Sequence, residues 1–241
     1  MKKGDARRSE ILAAAERLFY QKGYEQTSVQ DILDEIHFSK GGFYHHFDSK
    51  LSVLEAICEL RAQESCERAK AIIASPEMTA SQKLNALFHG TALWQSDNSG
   101  FVSLLIHVAY REDGALMREK MKACQLQSLQ ETLESVLAEG AHSGDFFVAD
   151  VPGMASLLLR LYMQFTDEIA FLLAGEDNAE KLSEEMVRKL IVYRQAIERL
   201  LIAPFGSVIL FEAKELQLLC TNVLRSRFRQ RADAMLGIDK Q

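Results

Sequence analysis

Proline is almost absent: Pro76, Pro152 and Pro204 are the 3 prolines in a chain of 241 residues. They stand far apart, so long stretches can run as unbroken helix, and a sandwich or barrel with frequent turns is a poor fit. Long apolar runs are missing too. Charged or polar groups interrupt each one well before the roughly 18 residues that mark a membrane span. Cysteine is scarce and unpatterned: Cys58, Cys66, Cys124 and Cys220 form no close pair of ligand type and no disulfide framework. The histidines show no HExxH or other metal-ligand spacing. These absences point to reduced thiols, no metal and no cofactor. Residues Met1 to Arg8 lack the apolar segment and cleavage site of a secretory signal, so a cytoplasmic protein with no membrane partner is expected.

What remains is an ordinary globular composition, 48% apolar and 26% charged, and at roughly 150 residues per domain the length suits one large domain or two modest ones. The net charge of −6 argues against non-specific coating of nucleic acid but leaves room for a local basic patch. Ile11, Ala14, Ala15, Leu18 and Phe19 recur at helical spacing, and Gly23 follows as a stop. Thr27-Ser28-Val29-Gln30 then has capping-box form, with the hydroxyl of Thr27 at the N-cap and Gln30 at N3. A short helix follows, carrying Val29, Ile32, Leu33 and Ile36 inward. Ser39 caps a second short helix, Lys40 to Phe47, and Asp48-Ser49 opens a long one from Lys50 towards Ala74. Beyond Pro76 the periodicity predicts helices near 79–94, 99–110, 115–139, 152–174, 178–202 and 207–232. The fold class expected is all-α: a three-helix head over 1–50 containing a helix-turn-helix, and a larger helical body over 51–241.

Two short capped helices a few residues apart, preceded by a longer one, make the layout in which the second short helix enters the major groove of DNA. That second helix carries two adjacent glycines, Gly41 and Gly42, each unfavourable by about 0.8–1 kcal/mol relative to alanine. A sequence that keeps both needs either room at those positions or close approach of its backbone to something. Lys40, Tyr44, His45 and Lys50 add donors around it. Phe47 reads as core, whereas Phe43 is open between groove and core. From Ile36 to Lys50 there are two lysines, one aspartate and three histidines; over 1–50, eight basic residues balance eight acids, most of them on the first two helices.

Thr27-Ser28-Val29-Gln30-Asp31-Ile32, then Ser39-Lys40-Gly41-Gly42-Phe43-Tyr44-His45-His46-Phe47 and Ser49-Lys50, resembles the DNA-binding signature of TetR/AcrR-type transcriptional regulators. The resemblance covers about a fifth of the chain. It departs at Ile36-His37-Phe38, where small turn residues are usual, and at Gly42, where Thr or Ser is common. It implies a homodimeric regulator, usually a repressor on a palindromic operator released by a small apolar or amphipathic effector, with Thr27, Ser28, Ser39, Lys40, Gly41, Gly42, Phe43, Tyr44, His45 and Lys50 at the DNA. The helix from Lys50, near 35 Å long at about 1.5 Å per residue, would be the lever between body and head.

In the body, Phe88, Trp94, Phe101, His107, Tyr110, Met121, Tyr162 and Phe165 are the candidates for a ligand pocket, although a packed core uses the same residue types. By the resemblance, Leu158, Leu161, Phe165, Ile169, Leu190, Ile197 and Leu201 would form a four-helix dimer interface; a monomer's core could equally use them. The arginines from Arg225 to Arg231 read as a solvated helix end suited to the macrodipole. The rival function is a helical enzyme or small-molecule carrier with an incidental head. No nucleophile–base pair, phosphate loop or paired-carboxylate motif supports it.

Overall fold

The structure, a computed structural model, describes residues 3–90, 99–110, 114–175 and 177–235. It is all-α, with ten helices and no strand among the described residues. Two compact units divide the chain, one up to Arg61 and one from Ala62 onward.

The first unit contains α1 (Lys3–Lys22), α2 (Val29–Glu35), α3 (Lys40–His46) and the opening of α4 (Lys50–Ile73). Ile11, Ala14, Ala15, Leu18 and Phe19 of α1 are buried with Ile32, Leu33, Phe43 and Phe47. Val53, Leu54 and Ile57 of α4 are buried as well, which is why the head as a compact unit runs on past Lys50. The caps are local and complete. Ser28, not Thr27, is the N-cap of α2: its hydroxyl accepts from Asp31 N and its backbone N–H donates to the Asp31 carboxylate. The expected box is therefore shifted by one residue, because the Thr27 hydroxyl is buried and donates to Gly23 O at 2.8 Å. Ser39 caps α3, and Ser49 and Ser52 cap the start of α4 reciprocally.

The second unit takes the rest of α4 with α5 (Ala80–Gly90), α6 (Ser99–Ala109), α7 (Ala115–Ser143), α8 (Val151–Gly175), α9 (Ala179–Leu201) and α10 (Ala213–Met235). Its core includes Leu84, Phe88, Leu133, Leu158, Phe165, Leu182, Ile197 and Leu201. Two expectations need correction. The helix expected to stop before Gly140 runs on to Ser143, because Gly140 is a packing glycine: a Cβ there would stand 2.1 Å from the Phe146 ring. Gly144, at φ +84°, is the stop. The last helix begins at Ala213 rather than near 207, because 204–212 is a loop whose backbone groups find distant side-chain partners. Asn85 brackets it through Ser207 O and Ile209 N, and the buried Glu198 carboxylate accepts from Gly206 N and Val208 N. Among the described residues no helix is long and apolar enough to cross a membrane.

Candidate functional site

Carboxylates of α1 and α2 are largely taken up inside the head. Glu16 receives the Arg61 guanidinium and the Tyr20 hydroxyl, Glu35 pairs with Arg17, Glu10 with Arg7, and Asp31 with Lys22 at 2.9 Å. The Ser28 hydroxyl, then the Lys22 ammonium, hold the Asp31 carboxyl far below the usual range. The equal count of acids and bases over 1–50 therefore hides an uneven surface. Lys40 and Tyr44 are exposed on α3, Tyr44 at 48%, and His45 beside them is exposed too.

The glycine pair separates into two different cases. A Cβ added to Gly41 would meet nothing within 4 Å, whereas one added to Gly42 would lie 2.5 Å from the tip of the Phe38 ring. Gly42 is thus explained from within the protein. Phe38, in the bulky turn, covers its α-carbon, and the Arg7 guanidinium stands 5.6 Å from the centre of that same ring. The turn places His37 at φ +51°, in the left-handed region where a small residue is usual. Arg8 stands over Phe47, 5.2 Å from its ring centre, so α1 sets a cation against an aromatic ring just before α3 and another just after it.

Other residues expected at DNA are engaged elsewhere. Phe43 is fully buried, and bringing it to a groove would forfeit about 1.5–3 kcal/mol of burial, so it belongs to the core. Thr27 is also buried and bonded to Gly23 O. Lys50 donates to Tyr24 O at 2.5 Å and lies 4.2 Å from the centre of the Tyr24 ring; partial burial lowers its pKa. It staples the turn after α1. Ser28 and Ser39 are exposed caps, both placed at helix starts.

Residues 11–57 match the family model of bacterial regulatory proteins of the tetR family. The head is a TetR-family DNA-binding head. It is similar to the uncharacterised helix-turn-helix-type transcriptional regulator YerO of Bacillus subtilis, 24% identical over 85% of this chain and 70% of YerO. It also resembles an uncharacterised regulator in the lacX 3′ region of Lactococcus lactis, 48% identical over 22% of this chain and 26% of that protein, a match of head length only. The crystal structure of the transcriptional regulator FadR from Bacillus subtilis in complex with stearoyl-CoA shares the fold, with a TM-score of 0.54 and 18% identity over 80% of this chain and 97% of that one. The protein is a DNA-binding transcriptional regulator and not an enzyme, and TetR-family regulators bind DNA and dimerise.

In the body of this regulator the candidate ligand residues do not all converge. Tyr110, Met121 and Tyr162 line one cleft of about 30 Å³, together with Arg118, Lys122, Met163 and Asp167. That space suits a water or two, so an occupant of effector size must displace side chains. Phe88 and Phe165 are core instead: Phe88 stacks on Tyr162 at 4.9 Å, whose hydroxyl donates to Phe88 O, and Phe165 packs on Tyr193 and Phe211. His107 is half-buried on α6. Trp94 and the Phe101 side chain lie outside the described residues, as do the side chains of Arg227, Arg229 and Arg231; Arg225 is exposed.

The proposed dimer residues require a further correction. Leu158, Phe165, Ile169, Leu190, Ile197 and Leu201 are buried within the single chain, and Leu161 packs partly buried against the same core. Periodicity found the apolar face of α8 and α9, but that face serves the protomer. Left open on these helices are Leu157, Phe171, Ile191 and Val192, at 41%, 47%, 40% and 58%.

Asp167 was not among the residues singled out from sequence. It is 7% exposed, accepting from the Tyr110 hydroxyl at 2.8 Å and from the Lys122 ammonium. Burial and then the Asp167 charge push the Tyr110 phenol well up. For Lys122, burial works against the charge but Asp167, then Glu119, outweigh it and raise the pKa. A signal was available: Asp167 is an acid in register with Leu159, Met163 and Ala170, where helical spacing demands an apolar residue. The thiols of Cys58, Cys66 and Cys220 are pushed up by burial, which makes them poor nucleophiles.

Proposed function

We propose that the protein is a repressor that binds a palindromic operator as a homodimer and leaves it when a small apolar or amphipathic effector enters the body. It acts in the cytoplasm, where operator DNA lies. The observation that carries this reading is Gly41. Among the described residues nothing approaches the place of its missing side chain, and a helix glycine there is suited to an external surface. Exposed Lys40 and Tyr44 flank it and supply an ammonium and a phenol for phosphates or base edges. A seven-residue helix reads few bases, so useful affinity comes from two heads on two half-sites, about 34–36 Å apart or a multiple of that. The solved relative with stearoyl-CoA supports an amphipathic effector, and the cleft beside Tyr110 and Tyr162 is the place for it.

Selection of binding sites from random duplex DNA, followed by a salt titration, tests the reading. A palindromic consensus and a log–log salt slope steeper than about −4 are expected, as each phosphate contact contributes about −0.9. Lys40→Ala and Tyr44→Phe should each weaken operator binding by about 1–2 kcal/mol, while sedimentation still shows the dimer. Loss of the dimer in either variant would place that residue in the wrong part of the molecule. Leu157, Phe171, Ile191 and Val192 are the apolar surface proposed for the partner copy. Val192→Glu should shift sedimentation to monomer with about the wild-type helical content, because a charge buried unpaired at an interface costs several kcal/mol. A dimer of unchanged strength would move the interface elsewhere.

A further inference from the structure

Asp167 presents a carboxylate on the buried face of α8 beside the cleft. Tyr110 and Lys122, which both hold it, differ in how easily they leave. Tyr110 donates from a rigid ring that packs edge-on against Phe171 at 5.1 Å. Lys122 reaches in on a flexible stem and keeps a second carboxylate, the exposed Glu119, at 3.3 Å. A group that displaced Lys122 would leave that ammonium with a partner and with water.

We propose that the effector is an amphipathic cation whose ammonium takes the place of Lys122 on Asp167 while its apolar part enters between Met121, Met163 and Tyr162. This rests on the reading of the body as the effector-responsive half. The sign of the charge follows from what each exchange leaves behind. A cation replaces a cation, so the buried carboxylate stays compensated. An anion drawn to Lys122 would pull it from Asp167 and leave an unpaired buried charge, the costlier outcome. The rest of the cleft suits the apolar part of such a cation: its methionines, Met121 and Met163, can re-pack around an alkyl chain. The other cation of the rim, Arg118, is already laid over Tyr110 and Phe171, at 5.6 and 5.0 Å from their ring centres, and donates to Ala109 O.

Decylammonium, decanoate and decanol share one chain and differ in head charge, so titrating each into the full-length protein below its micellar concentration, by calorimetry, decides the matter. Decylammonium should bind at least about tenfold more tightly than the other two. Asp167→Asn, which keeps an acceptor for Tyr110, should weaken that binding about tenfold or more. Lys122→Met should strengthen it by about tenfold, because the competing ammonium is gone, and decylammonium should then raise the variant's Tm more than the wild type's. A merely structural Asp167–Lys122 pair would instead make both variants bind less. Decanoate or decanol binding as well as the amine, an unchanged Asp167→Asn, or a weakened Lys122→Met would each overturn the proposal. Operator affinity is measured in parallel. Decylammonium that binds without loosening the operator complex overturns the effector claim, whereas a protein that selects no operator overturns the regulator reading and leaves the calorimetric result standing.

Discussion

Replacing Gly41 with alanine should make the protein more stable and a poorer DNA binder at once. Glycine inside a helix is less favourable than alanine by roughly 0.5–1 kcal/mol, mostly through the freedom it regains on unfolding. At Gly41 the new methyl group meets no atom of the described residues within 4 Å, so no clash offsets that gain. A rise in Tm of about 1–4 °C is expected for a chain of this size. Operator affinity should fall about tenfold or more, some 1.4 kcal/mol, as the methyl group holds the backbone of α3 off the duplex. Thermal melts and a binding titration on the same preparation check both halves. Full affinity with raised stability would mean that the glycine faces no partner, and the proposed reading face would be lost with it.

Gly42→Thr has the opposite cause and should show the opposite stability effect. A Cβ at this position would stand 2.5 Å from Phe38 Cζ and 2.7 Å from Cε1, well inside contact distance. The ring must swing off α3, taking with it the surface on which Arg7 lies. Overpacking of this kind costs about 1–3 kcal/mol, more than the helix propensity recovered. Trimming the ring in the double variant Phe38→Val, Gly42→Thr should recover most of the loss. A coupling energy of at least about 1 kcal/mol in the denaturation cycle is expected, and additive effects would show that the two residues do not constrain each other.

That pair shows how much of the site could be read in advance. The sequence carries two departures from the family pattern, a bulky turn and a missing side chain, and they are one departure: Phe38 occupies the space that Gly42 leaves. Both residues were visible, but their relation crosses from a turn to a helix and depends on where the ring points. The short helices, the Ser39 cap and the exposure of Lys40 and Tyr44 were legible because they follow from contacts a few residues apart, whereas the cap of α2 falls on Ser28 and not on Thr27. Phe43 shares the motif with Tyr44, and only packing against the head's core decides that one faces in and the other out. Lys50 looked like a phosphate donor because its charge is in the motif; the carbonyl of Tyr24 that holds it is distant in sequence.

In the body the same boundary appears on a larger scale. Helical spacing on α8 and α9 identified an apolar face, and burial of Leu158, Ile169 and Ile197 assigns that face to the protomer's own core. The order of residues alone determined that this protein is a string of helices whose head carries two short capped ones, since periodicity, caps and stops act over one or two turns of chain, and the motif on the second of them carried the resemblance to DNA-binding regulators. Tertiary structure alone decided which apolar residues remain for a partner, why Gly42 is glycine, and that Asp167 lies buried under a lysine. Those are questions of which atoms meet across helices far apart in the chain, and a pattern along the chain does not contain the answer.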